Sequence, residues 1–152
     1  MSRSAKIIRF TFWTNNLVWL TFFIGLVLLI LWGQMYQNHL MLLGAALLVL
    51  GSLLGWWQQS YLKKHLGIKS FKDKYFFIDD EREREIHLQI LSKISGSVSL
   101  CLYVIVIMTV GLSLMPKMTV KILGIVVLTM VMLTGIYVNY QYYYLWKKYD
   151  QG

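Results

Sequence analysis

Charge is missing from most of this sequence. Four apolar stretches, Phe12–Trp32, His39–Trp57, Val98–Met115 and Val120–Tyr140, contain a single Lys, Arg, Asp or Glu between them, Lys121 at the edge of the last. The hydrocarbon core of a bilayer is about 30 Å thick and takes roughly 20 mostly apolar residues of helix. Each stretch meets or nearly meets that length. A charged side chain at the centre of such a span costs about 2.5–3.5 kcal/mol on insertion scales. The missing charge reads as adaptation to a lipid solvent, and it removes most mechanisms that need an acid or base inside the membrane. A proton-coupled exporter of the small four-helix kind, for instance, relies on a carboxylate within a span, and none is present.

Other absences narrow the chemistry further. Cysteine occurs once, as Cys101 inside the third stretch, which excludes a disulfide framework and a CxxC redox pair. The histidines are scattered: His39 at one membrane edge, His65 after the second stretch and His87 before the third. A metal site needs several converging ligands; Glu83 and His87, four residues apart, give only two. Serines and threonines have no histidine and carboxylate beside them within the membrane, which argues against a serine hydrolase. A glycine-rich phosphate loop is also lacking. The expectation is a protein without cofactor or metal, and not an enzyme.

What is present is mostly membrane. Apolar residues make up 57% of the 152 residues, against roughly 45–50% in soluble domains. Roughly 80 residues lie in the four stretches, so we expect one integral membrane domain over 1–152. Arg3, Lys6 and Arg9 precede the first stretch in the manner of a signal peptide. That apolar run is too long for one, however, and no A-x-A-like cleavage site follows, so it reads as a retained helix.

The net charge of +8 is explained by topology. With the N-terminus in the cytoplasm, thirteen Lys and Arg residues fall inside and only Lys117 and Lys121 outside, as the positive-inside rule requires. Both termini and the long 61–94 connection are then cytoplasmic, facing anionic inner-leaflet lipid, with no call for nucleic acid. The connections Gly33–Asn38 and Met115–Thr119, the latter with the single proline Pro116, are short enough to force antiparallel neighbours. The predicted fold is all-α: four transmembrane helices in two antiparallel hairpins. Trp13, Trp19, Trp32, Tyr36, Trp56, Trp57 and the run from Tyr137 to Trp146 fall where membrane interfaces should be.

Small residues mark one helix face. Gly44, Gly51 and Gly55 line the second stretch, the last two as GxxxG beside Ser52, and such residues let helix backbones approach closely in lipid. Two readings stand: packing within the chain, or a homodimer through this helix. Ser92, Ser95, Gly96 and Ser99 form a similar set before and within the third stretch. The polar residues Asn15, Asn16, Asn139 and Gln141 gather near the cytoplasmic ends of the first and last stretches and could line a path.

The connection has two characters. From Tyr61 to Lys74, lysines alternate with apolar and aromatic residues, as in a segment lying on a membrane surface or docking a partner. The sign then changes in Asp79-Asp80-Glu81-Arg82-Glu83-Arg84-Glu85. Asp79 or Asp80 suits a helix N-cap, and acids in the first turn complement the helix dipole. Beyond them Ile86, Ile90 and Ile94 recur every fourth residue, which predicts an amphipathic helix running unbroken into the third span. Exposed ion pairs on such a helix contribute only about 0.2–0.5 kcal/mol each, so stability explains the run poorly. It reads as a solvated helix start or as a recognition surface formed by Asp80, Glu81, Arg82, Glu83, Arg84 and Glu85.

This stretch resembles a motif in a broad group of small, uncharacterised four-helix bacterial membrane proteins, which carry D-E-R-E and then an isoleucine ahead of their third span. The matching residues are Asp80, Glu81, Arg82, Glu83 and Ile86, with Lys93 near a frequent basic position; Leu91-Ser92-Lys93 departs from the usual Lys-Ala continuation. The resemblance implies a bacterial plasma-membrane protein encoded beside transcription regulators or peptide-exporter genes. The expected function is therefore contact with a membrane or cytoplasmic protein, as an immunity protein or accessory subunit. The alternative is a small transport component.

Overall fold

A computed structural model describes residues 3–35, 38–66, 81–116 and 119–150. These form four helices: α1 (Arg3–Met35), α2 (Asn38–Leu66), α3 (Glu81–Ser113) and α4 (Val120–Asp150). Each is long and apolar enough to cross a membrane, the architecture of a multi-pass membrane protein. At about 1.5 Å per residue the 33-residue α1 and α3 are about 50 Å long. They therefore overrun a hydrocarbon core of about 30 Å.

The ends of the helices follow from local chemistry. Glu81 and Glu83 occupy the first turn of α3, where carboxylates meet the positive end of the helix dipole. Lys63, Lys64 and His65 close α2, and Lys147 and Lys148 close α4, at the negative ends. Pro116 cannot continue α3, and the Met115 amide turns back to the Leu112 carbonyl at 3.1 Å. Thr119 then caps α4, its hydroxyl accepting the Ile122 amide at 3.3 Å. Asp79 and Asp80 lie outside the described residues, as do Lys69, Lys72 and Lys74 of the basic half of the connection.

The extensive interfaces are α1 with α2, α1 with α4 and α4 with α3. Paired residues run in opposite senses along α1 and α2: Gly25 meets Gly44, Thr21 and Phe22 meet Gly51, and Asn15 meets Gln58. The N-terminal turns of α1 thus lie beside the C-terminal turns of α2, and Ile86 and Ile90 of α3 and Trp146 of α4 cluster with them, at what we call the charged end.

Packing changes character along the helices. In the apolar stretches few side chains are buried, because lipid is as apolar as leucine and gives helices no hydrophobic reason to associate. Contact there relies on close backbone approach. A Cβ on Gly44 would stand 2.9 Å from the Gly25 carbonyl oxygen, and one on Gly51 would stand 2.9 Å from the Thr21 hydroxyl. The compact hydrophobic cluster sits instead at the charged end, where Ile7, Ile8, Leu62, Ile86, Ile90, Ile94 and Trp146 are buried together. Water at that end restores the hydrophobic driving force, about 25 cal/mol per Å² of apolar surface covered.

Candidate functional site

Two features converge at the charged end: a tier of polar side chains bonded between helices, and a charged helix tip. The tier crosses all four helices. Gln58 of α2, 3% exposed, donates to the Thr14 hydroxyl and, at 2.9 Å, to the Asn15 amide oxygen of α1. Asn139 of α4 donates at 2.9 Å to both the Phe12 carbonyl and the Asn16 amide oxygen of α1. Gln141 of α4 donates to the Ser97 hydroxyl of α3 at 3.1 Å. The four residues read as lining a path are thus engaged in bonds between helices. Gln58 and Ser97 complete the tier, and sequence reasoning passed over both. The glutamine pair Gln58-Gln59 just past the apolar stretch was the available signal, since unsatisfied amides are costly near lipid.

The charged tip is the first turn and a half of α3. Glu81, Arg82, Arg84 and Glu85 are exposed. Glu83 turns inward and accepts a 2.6 Å hydrogen bond from the Ser4 hydroxyl of α1. The first turn of α1 has no acid of its own, so Glu83 brings a carboxylate to its positive end. Below the tip, the isoleucine stripe fixes α3: Ile90 is fully covered, and Ile86 and Ile94 nearly so.

His87 shares that buried face, 1% exposed, with Nδ1 2.8 Å from the Tyr142 hydroxyl of α4. Burial pushes its pKa below the ordinary histidine value. Lys93 donates to the Tyr149 hydroxyl and lies over that ring, 5.1 Å from its centre. His39 and His65 are exposed. Among the described residues no three His, Cys, Asp or Glu side chains group to hold a metal.

The structure divides the glycines of α2. Gly44 and Gly51 are covered by α1, while a Cβ on Gly55 would meet nothing. Two partners went unread in the sequence: Gly25 opposite Gly44, and Gly135 of α4, where a Cβ would stand 3.0 Å from the Trp19 ring. Of the serine set, Ser99 bonds back to the Ser95 carbonyl at 3.0 Å, and Gly96 faces open space.

A cavity of about 250 Å³ lies between α1, α3 and α4 beside the polar tier. Phe12 and Tyr143, stacked at 4.6 Å, form part of its wall. In comparisons with known proteins, no family model, curated protein or solved structure matches this chain.

Proposed function

We propose that this chain is a non-enzymatic protein of a bacterial plasma membrane that acts by contact with another protein. It would serve as an immunity protein shielding its host from a membrane-active peptide, or as an accessory or regulatory subunit of a membrane complex. In this reading the four spans form two antiparallel hairpins. Both termini and the 61–94 connection face the cytoplasm, and α3 begins as a cytoplasmic amphipathic extension. Lys63, Lys64, Lys147 and Lys148, exposed at the charged end, would rest on anionic inner-leaflet lipid.

The mounting of the α3 tip carries the proposal. Exposed ion pairs contribute little stability, yet this run stands on the best-packed part of the molecule, with Ile86, Ile90 and Ile94 anchored in the cluster beneath it. A charged surface held that firmly is preorganised, which lowers the ordering cost of binding. The polar tier supports the same view over transport, because its amides are engaged in bonds to neighbouring helices. A homodimer through α2 would have to use the surface beside Gly55, since Gly44 and Gly51 are covered by α1.

Charge reversal tests this directly. Glu81→Lys with Glu85→Lys should abolish co-purification of the partner while the protein still inserts and accumulates. Glu83 is left out of that pair because it bonds Ser4. Retained co-purification would refute the tip as the contact surface, and unchanged peptide sensitivity in a deletion strain would end the immunity version. Asn15→Leu with Asn139→Leu, assayed for flux in proteoliposomes, addresses transport.

A further inference from the structure

The cavity between α1, α3 and α4 has a chemistry that contact through the α3 tip leaves unused. Its wall is largely apolar, with aromatic faces from Phe12, Trp19, Tyr142 and Tyr143, and no Lys, Arg, Asp, Glu or His among the described residues that line it. A charged guest would be stranded there without a partner, so the occupant is neutral. The volume of about 250 Å³ exceeds the roughly 150 Å³ that suffices for benzene in an apolar cavity. It suits one ring or two fused rings. Trp19 and Leu91, each partly exposed, stand at the rim. Trp19 belongs to an apolar stretch, so a molecule dissolved in lipid reaches the cavity without crossing water.

Thr11, Asn15 and Asn139 are polar residues on the wall; Asn15 has its amide oxygen engaged by Gln58, and the other two define what the guest must carry. Asn139 has committed both N–H groups, one to the Phe12 carbonyl and one to the Asn16 amide oxygen. A backbone carbonyl only accepts, which fixes the orientation of the amide and leaves its carbonyl oxygen as the group it can still offer. Thr11 is the second. Thr14, Thr21, Thr109, Thr129 and Thr134 each donate to a carbonyl of their own helix three or four residues back. Thr11 has a buried hydroxyl with no hydrogen-bond partner among the described residues. An acceptor and a spare hydroxyl beside aromatic faces match a ring bearing a hydrogen-bond donor.

We propose that this cavity binds a small neutral aromatic molecule carrying one O–H or N–H donor, of the phenol or indole class, taken up from the lipid. The donor bonds the Asn139 carbonyl oxygen, and the ring packs among Phe12, Trp19 and Tyr143. This site is independent of the partner surface at Glu81 and Glu85.

The test compares 1-naphthol with naphthalene, which share a ring system and differ in the donor. Equilibrium dialysis against the full-length protein in lipid nanodiscs, with protein-free nanodiscs subtracting partition into lipid, should show saturable 1-naphthol binding at one site per chain. Naphthalene should bind about fivefold more weakly, the effect of one net hydrogen bond. Leu91→Trp, which fills the rim, should weaken both at least tenfold, whereas Leu88→Trp, exposed and away from the wall, should leave both unchanged. Asn139→Leu should bring 1-naphthol to the naphthalene level. If that variant fails to insert, the Leu91 and Leu88 pair still decides the site. Uptake matching empty nanodiscs, or saturable binding indifferent to Leu91→Trp, would overturn the proposal. Equal affinity for the two compounds would overturn donor recognition.

Discussion

Gly44 and Gly55 sit on the same helix and have opposite surroundings. A Cβ at Gly44 would press on the backbone of α1, which cannot swing aside as a side-chain tip can. Gly44→Ala should therefore separate α1 from α2 and destabilise by about 1–3 kcal/mol, the usual range for overpacking. Gly55→Ala meets open space and should be neutral or stabilising by up to about 1 kcal/mol, since alanine restricts the unfolded chain and favours helix. Reversible unfolding in mixed micelles compares the two. His87 gives a pH-dependent counterpart, being buried against Tyr142 on the part of α3 that precedes the apolar stretch from Val98. Its folded pKa lies below the unfolded one, so the folded state holds fewer protons. Its contribution is complete above about pH 6.5 and is lost as pH falls from there through the folded value. Thermal unfolding between about pH 7.5 and pH 5 should show a falling midpoint, and the fall should shrink in His87→Gln.

Among the helices, α3 carries two kinds of apolar surface. Ile90 is fully covered in the cluster at the charged end, whereas Ile107 is 68% exposed along the apolar stretch. Ile90→Ala should cost about 2–5 kcal/mol, through lost burial and the cavity left behind. Ile107→Ala trades a side chain in contact with lipid for a smaller one and should change stability by less than about 0.5 kcal/mol. A similar cost at both sites would mean that the outer part of α3 is buried against a partner helix. The same contrast explains what could be read in advance. Four long apolar helices were legible from missing charge, and the fourfold isoleucine spacing announced a buried face on α3. The inward turn of Glu83, the pairing of Gly25 with Gly44 and the Gln58 bonds were not legible. Each depends on which helix lies alongside and at what register, and sequence periodicity does not encode that.

Taken whole, the molecule inverts the soluble pattern: close approach at glycines joins its helices in the apolar zone, and its hydrophobic cluster lies at the charged end beside the polar tier. The inversion makes sense only if lipid surrounds the first zone and water reaches the second. The proposed orientation then puts that end in the cytoplasm, with the Lys63, Lys64, Lys147 and Lys148 cluster on the inner leaflet. The single Cys101, partly buried in α3, makes the orientation measurable. On a Cys101→Ser background, Asn38→Cys and Lys64→Cys place thiols at opposite ends of α2, both at exposed positions. A membrane-impermeant maleimide applied to intact cells should label Asn38→Cys and spare Lys64→Cys until the membrane is opened. The reverse pattern would turn the bundle over. It would move the α3 tip outside the cell and require its partner to be an extracellular protein.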